Sequence, residues 1–208
     1  MGKQNKVFPD HGEEQMVIVP NQQVALLTAG KCASSPLKNI GLLADPKNFR
    51  KDVTPQEVEE QYDHYCKIAI WRDPVDRLAS CYRDKILRTF YKGFRWMPGI
   101  KKNMSFDEFA KAVCTIPDNK ADGHFRSQSC FYLRKDGTPL FDLLLSFSEF
   151  PDCWSIAQKV IFDLPDIVRT KKGTRGKYQE GALGYNTKQL LFKRYEADCQ
   201  LKDYVRWL

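Results

Sequence analysis

Apolar residues along this chain fall into short runs, and several end in a turn followed by an amphipathic stretch. Met16-Val-Ile-Val19, ahead of Pro20, reads as a short edge strand. Val24 to Ala29 is a compact apolar run, broken by Gly30 and Lys31, and suits a buried strand. Ser34 or Ser35 then caps a helix with Pro36 in its first turn. Asp45 to Arg50 reads as loop, and Thr54-Pro55-Gln56-Glu57 opens a polar helix to about Gln61. Cys66 to Trp71 is the second clear strand; its lack of alternation fits a strand covered on both faces. Asp73 caps the helix that follows, with Pro74 at its first position. Val75, Leu78, Ala79, Tyr82 and Ile86 repeat at a 3.6-residue period, leaving Asp76, Arg83, Asp84 and Arg88 on the other side.

Downstream, Ser105-Phe-Asp-Glu108 is a capping box opening a helix to about Val113. Asp118 to Ser127 is polar and turn-rich, Phe141 to Phe147 reads as a third strand, and Asp152 to Phe162 as a helix. Arg169 to Tyr178 is a basic, glycine-bearing loop. Asn186 or Thr187 caps a terminal helix to about Val205, with Leu190, Leu191, Tyr195, Cys199 and Tyr204 on or near one stripe. Strands followed by helices predict a parallel α/β sheet, whose ligands sit beyond the carboxyl ends of the strands; Lys31 and Arg72 both fall there. Residues 1–15 read as a polar tail, and residues 16–208 as one domain without repeats or linkers.

The 208 residues, 42% of them hydrophobic, suffice for one sizeable core. A net charge of +7 and a pI near 9.0 imply an anionic partner, whether nucleotide, acidic polysaccharide, nucleic acid or membrane, and equally fit a merely solvated basic surface. No nucleic-acid motif is present, so no nucleic-acid partner is expected. The seven cysteines form no C-x-x-C pair and read as free, mostly buried thiols of a reducing compartment; no Cys/His spacing suggests a metal. The N-terminus has no apolar signal core, no run approaches the ~18 residues of a membrane span, and Gly2 lacks the myristoylation context. These features predict a soluble, cytoplasmic protein without a membrane anchor.

Two strand-to-helix turns carry the candidate chemistry. After Cys66–Trp71, the Arg72 guanidinium and, eight residues on, the Ser80 hydroxyl can hold one phosphate. After Val24–Ala29, the loop Gly30-Lys31-Cys32-Ala33-Ser34-Ser35, with Lys38 a turn further, offers a second anion cradle. Two such sites suggest a ligand phosphorylated at both ends. The plainer alternatives are an ordinary loop lysine at 31, and a salt bridge from Arg72 to Asp73 or Asp76. A P-loop kinase is disfavoured, because Ala25 stands where the motif's first glycine belongs and Cys32 follows the lysine. A non-catalytic basic module for acidic glycan or nucleic acid stays open.

The order strand, Lys31-Cys-Ala-Ser34-Ser35, strand, Arg72-Asp-Pro-Val-Asp-Arg-Leu-Ala-Ser80-Cys-Tyr-Arg-Asp-Lys85 resembles the sulfotransferases, nearest the Golgi-type carbohydrate branch. Gly123-His124-Phe125-Arg126-Ser127-Gln128-Ser129 is similar to their His-Trp-x-Pro-Gln segment, with Phe for Trp and Ser for Pro. The resemblance implies a P-loop-like three-layer fold with a central parallel sheet flanked by helices. It also implies transfer of a sulfuryl group from 3′-phosphoadenosine 5′-phosphosulfate (PAPS) to a hydroxyl, with a carbohydrate as the favoured acceptor. Adenosine 3′,5′-bisphosphate would be the product, and no metal would be needed. Carried over, Lys31, Cys32, Ala33, Ser34, Ser35 and Lys38 would serve the 5′ end, with Lys31 also catalytic, and Arg72 and Ser80 the 3′ end. Lys172, Gly173 and Arg175, in a stretch resembling the basic loop of the cytosolic branch, would close over the adenosine, although a solvated turn reads nearly as well. His124 is the candidate base, with Glu57, Asp45 and Asp122 as alternatives; His11 lies in the tail and His64 at the far end of its strand. The membrane anchor and lumenal disulfides usual in that branch are not seen in this sequence.

Overall fold

The computed structural model describes residues 16–167 and 183–206. The N-terminal tail and the loop bearing Lys172, Gly173 and Arg175 lie outside the described residues. Six strands form one sheet: β1 (Met16–Val19), β2 (Val24–Leu27), β3 (Arg50–Val53), β4 (Cys66–Trp71), β5 (Leu143–Ser146) and β6 (Val205–Arg206), in the order β3-β1-β2-β4-β5-β6. β2, β4, β5 and β6 run parallel, as the strand–helix alternation predicts.

The other half of the sheet departs from the sequence reading. β1 is antiparallel to both β2 and β3, so it is an interior strand and not an edge. The edge is β3, which starts at the end of the stretch read as loop and runs through residues 51–53, to which the pattern assigned no element. Its Arg50-Lys51-Asp52 residues are exposed, which disguises the strand and also protects it from pairing with another chain.

Successive residues of the central strands alternate between two buried faces, because side chains on a strand point to opposite sides. Ala25, Leu27, Ala69, Trp71 and Leu144 pack with Val58, Phe131 and Tyr132 on one side. Leu26, Ile68, Ile70 and Leu145 pack with Leu37, Ile40, Trp154 and Ala157 on the other. Helices α1 (Ser34–Ala44) and α6 (Trp154–Val160) cover the second face; α2 (Pro55–Gln61) and α5 (Ser129–Tyr132) cover the first. This is a three-layer α/β fold. A third apolar cluster, built around Phe94, Phe109 and Phe125, joins α3 (Pro74–Tyr82), α4 (Phe106–Cys114) and α7 (Tyr185–Arg194).

The predicted caps of α2, α3 and α4 form: Thr54 with Glu57, Asp73 with the amides of Val75 and Asp76, and Ser105 with Glu108. α1 differs, since its N-cap is Ala33 at φ 58° and neither serine caps it. The terminal helix also differs. α7 starts after Gly184 and stops at Tyr195, α8 (Glu196–Gln200) follows, and the described residues end in β6. Buried Tyr195 donates to the Phe125 carbonyl at 2.6 Å, and buried Asp198 holds the Gln128 and Ser129 amides at 2.7 and 2.8 Å. Both side chains are directed inward across the break between the helices.

All seven cysteines are free; Cys32, Cys81 and Cys153 are buried, Cys66, Cys114 and Cys199 half-buried, and Cys130 exposed. Among the described residues no helix is long and apolar enough to cross a membrane, and no group of three or more His, Cys, Asp or Glu could hold a metal ion.

Candidate functional site

β2 and β4 are parallel neighbours, so the segments leaving their carboxyl ends emerge side by side. The Tyr132 hydroxyl fastens these ends: it accepts from the Ala29 amide at 3.0 Å and donates to the Ile70 carbonyl at 2.9 Å. Beyond them, Arg72 Nη1 donates to the Lys31 carbonyl at 2.9 Å, so the two turns singled out in the sequence meet.

The first turn is wound tightly. Lys31 and Ala33 have φ of 70° and 58°, in the left-handed region that costs a side-chain-bearing residue about 1–2 kcal/mol. Left-handed Ala33 followed by helical Ser34 turns successive backbone N–H groups toward one side, the form of an anion nest. The first turn of α1 adds N–H groups of Ser34 and Ser35 that have no acceptor within the helix, at the positive end of its dipole.

A buried frame holds this loop. A Cβ on Gly30 would lie 2.6 Å from the Gly123 carbonyl oxygen, so glycine is needed for the two backbones to approach. Arg77, fully buried, donates to the Gly30 carbonyl (Nε, 2.8 Å), the Gly123 carbonyl (Nη2, 3.1 Å) and the Arg126 carbonyl (Nη1, 2.6 Å). Gln128 pins the other turn: its Oε1 accepts from the Arg72 amide at 3.0 Å and its Nε2 donates to the Arg72 carbonyl at 2.8 Å. Cys32 Sγ donates to the same Oε1 at 3.2 Å, and burial raises the thiol's pKa and keeps it protonated for that role.

Arg72 is half-buried, with its guanidinium 4.2 Å over the Phe147 ring. Burial lowers its pKa. Its Nε is buried and has no hydrogen-bond partner among the described residues. A buried donor left unpaired costs about 1–3 kcal/mol, which an anion oxygen would recover. Ser80 sits half-buried in the last turn of α3. Lys38 points elsewhere, pairing with Asp52 on β3 at 2.7 Å near the surface.

Lys31 Nζ is 2.9 Å from Asp84 Oδ2. Asp84 lies where α3 passes into a π-helical turn, Arg83–Arg88. The Lys85 ammonium (3.5 Å) and the Arg88 guanidinium (3.1 Å) flank the same carboxylate. Burial opposes its ionisation, but the Lys31 hydrogen bond and the three cations outweigh burial and lower its pKa. Lys85 in turn lies 4.8 Å over the Tyr91 ring, and Tyr91 packs edge-on against His124 with ring centroids 5.5 Å apart.

His124 Nδ1 is 2.6 Å from Asp122 Oδ1, which also accepts from the His124 amide at 2.9 Å. With Asp122 ionised, Nδ1 carries the hydrogen and Nε2 is the basic atom. Asp122 thus serves His124 as a partner, whereas the sequence offered it only as an alternative base; the Asp-x-His spacing is the signal that could have shown the pair. The remaining alternatives are engaged elsewhere: Glu57 in its capping box and with Arg50, Asp45 with Asn21 and Asn48. His64 packs against Tyr65 just before β4, at the opposite end of that strand from Arg72. The sequence reading did not find the Gln128 clamp, the Arg77 frame or the Asp84 contact, all of which depend on partners distant in the chain.

Residues 14–205 match the family described as Sulfotransferase family. No curated protein and no solved structure matches the chain.

Proposed function

The chain belongs to the sulfotransferase family, and we propose that it moves a sulfuryl group from PAPS to a hydroxyl of a carbohydrate. The observation that carries this reading is the union of two anion-seeking turns, with the Arg72 guanidinium hydrogen-bonded to the backbone of Lys31 while its own Nε lacks a partner among the described residues. The residues present fit a nucleotide phosphorylated at both ends. The nest at Ala33–Ser35 and the Lys31 ammonium suit a 5′-phosphosulfate; Arg72 with Ser80 suits a 3′-phosphate. Bound there, PAPS would supply a sulfuryl group activated by its mixed phosphoric–sulfuric anhydride bond.

The protein's own groups then have distinct tasks. Lys31 and the nest neutralise negative charge at the 5′ end, where it builds as the sulfur–oxygen bond weakens. His124 Nε2 takes the proton from the acceptor hydroxyl, and Asp122 fixes the ring and stabilises the imidazolium. The acceptor would lie along the wall formed by Tyr91 and His124. The segment from Arg83 to Lys102 beside it has seven Lys or Arg residues against the single acid Asp84, and exposed Trp96, which favours a sugar bearing negative charge.

The test is a thermal shift with adenosine 3′,5′-bisphosphate, AMP and ATP. At a hundred times its Kd the bisphosphate should add about 2.7 kcal/mol of stability, or about 5–10 °C for a domain of this size. AMP and ATP should add far less, and Arg72→Ala should abolish the preference. Equal shifts for all three nucleotides would refute the donor assignment. Selective binding without sulfuryl transfer to any of a panel of sugars would leave a binding module on the same fold.

A further inference from the structure

We propose that Asp84 is a positioning residue for Lys31, holding its ammonium at the mouth of the donor site and yielding it to the incoming phosphosulfate. The inference rests on the donor reading above. The carboxylate and the ammonium are 2.9 Å apart, and both side chains are partly shielded from water, so the pair is more than a loose surface contact. The π-helical turn at Arg83–Arg88 is what brings Asp84 there, four residues beyond Ser80 on the same helical run. The contact can open without stranding a charge. Lys85 and Arg88 already flank Asp84, so the carboxylate keeps two cations when Lys31 turns to the donor. Lys85 also lies over Tyr91, which touches His124, so the exchange of partners occurs beside the proposed acceptor wall.

In this arrangement Asp84 competes with the donor for one ammonium. Removing the carboxylate should therefore tighten nucleotide binding while loosening the alignment of Lys31. Asp84→Asn is expected to bind adenosine 3′,5′-bisphosphate roughly threefold to tenfold more tightly, because the Lys31 ammonium is then free for the nucleotide. The same variant should have a lower kcat, and Asp84→Glu should restore both values toward wild type. In a Lys31→Met background, Asp84→Asn should lose most of its effect on affinity, because the two residues act as a pair. Asp84→Ser serves as a second carboxylate-free variant, and melting without nucleotide separates a folding defect from a binding change. Unchanged or weaker bisphosphate binding in a folded Asn or Ser variant would overturn the proposal. So would an undiminished gain in the Lys31→Met background. A wild-type protein that does not prefer the bisphosphate would instead overturn the donor reading on which the proposal depends.

Discussion

At the scale of single residues, His124 and Asp122 form a unit whose parts have different duties. The imidazole reaches its orientation through two hydrogen bonds to one carboxylate oxygen, one from Nδ1 and one from its own amide. Replacing Asp122 with Asn leaves a group of the same shape that no longer requires a hydrogen on Nδ1. The basic nitrogen can then be the wrong one. On the proposed mechanism His124→Ala and Asp122→Asn should each lower kcat by about 100-fold or more, within the range for losing a general base. Bisphosphate affinity should stay near wild type in both. The double variant should be hardly slower than His124→Ala alone, because the aspartate acts only through the histidine. Full turnover in His124→Ala would move the proton acceptor to another group, and a clearly additive double variant would give Asp122 a separate task.

At the scale of elements, what could be read from the sequence was what is decided within a few residues. Asp73-Pro74, Thr54 with Glu57, and Ser105 with Glu108 cap their helices as read, since each cap closes on an amide two or three positions away. The two central strands and the turns that follow them were equally plain. Elements defined by distant partners were not. β3 is polar and is a strand only because β1 lies beside it; β6 pairs with β5 although 58 residues lie between Ser146 and Val205. The left-handed turn at Ala33 carries no glycine to announce it, and the π-helical turn is masked because the apolar stripe runs on through Ile86. Asp107 illustrates how such distant joints are made. On α4, it pairs with Lys111 at 2.7 Å and accepts from the Gly184 amide, at the start of α7, at 3.0 Å. The Lys111 ammonium and the Gly184 amide lower its pKa to about 2 from 3.8. A carboxyl whose folded pKa lies below its unfolded one contributes its full stabilisation above about pH 4 and loses it as pH falls toward 2. The melting temperature should therefore drop through that window, and Asp107→Asn should melt lower at neutral pH with a shallower acid decline. If Asp107→Asn showed the same acid profile as wild type, the joint would contribute nothing.

At the scale of the whole molecule, the site lies where separately packed regions meet. Ala29 and Cys32 belong to the apolar layer on one face of the sheet, Ala33 and Leu37 to the layer on the other, and Leu78, Ala121 and Phe125 to the third cluster. Packing within each region does not fix how the regions sit against one another. Arg77 does, since its one guanidinium holds the carbonyls of Gly30, Gly123 and Arg126, residues 46 to 49 positions away in the chain. Three N–H groups in one plane match three carbonyls in a way that a lysine ammonium on a flexible stem does not. Arg77→Met would leave those buried carbonyls unpaired, and its cost should approach that of breaking a buried charged network, about 3–5 kcal/mol. Arg77→Lys should recover less than half of that loss. Because the same bonds set the Lys31 loop against the His124 loop, both variants should also bind adenosine 3′,5′-bisphosphate more weakly when measured at a temperature where each is folded. Urea midpoints and nucleotide titrations on the two variants separate these effects. A large loss of stability with unchanged bisphosphate affinity would make Arg77 a core residue that does not shape the site. A loss below about 1 kcal/mol would show that the three regions hold their arrangement without it.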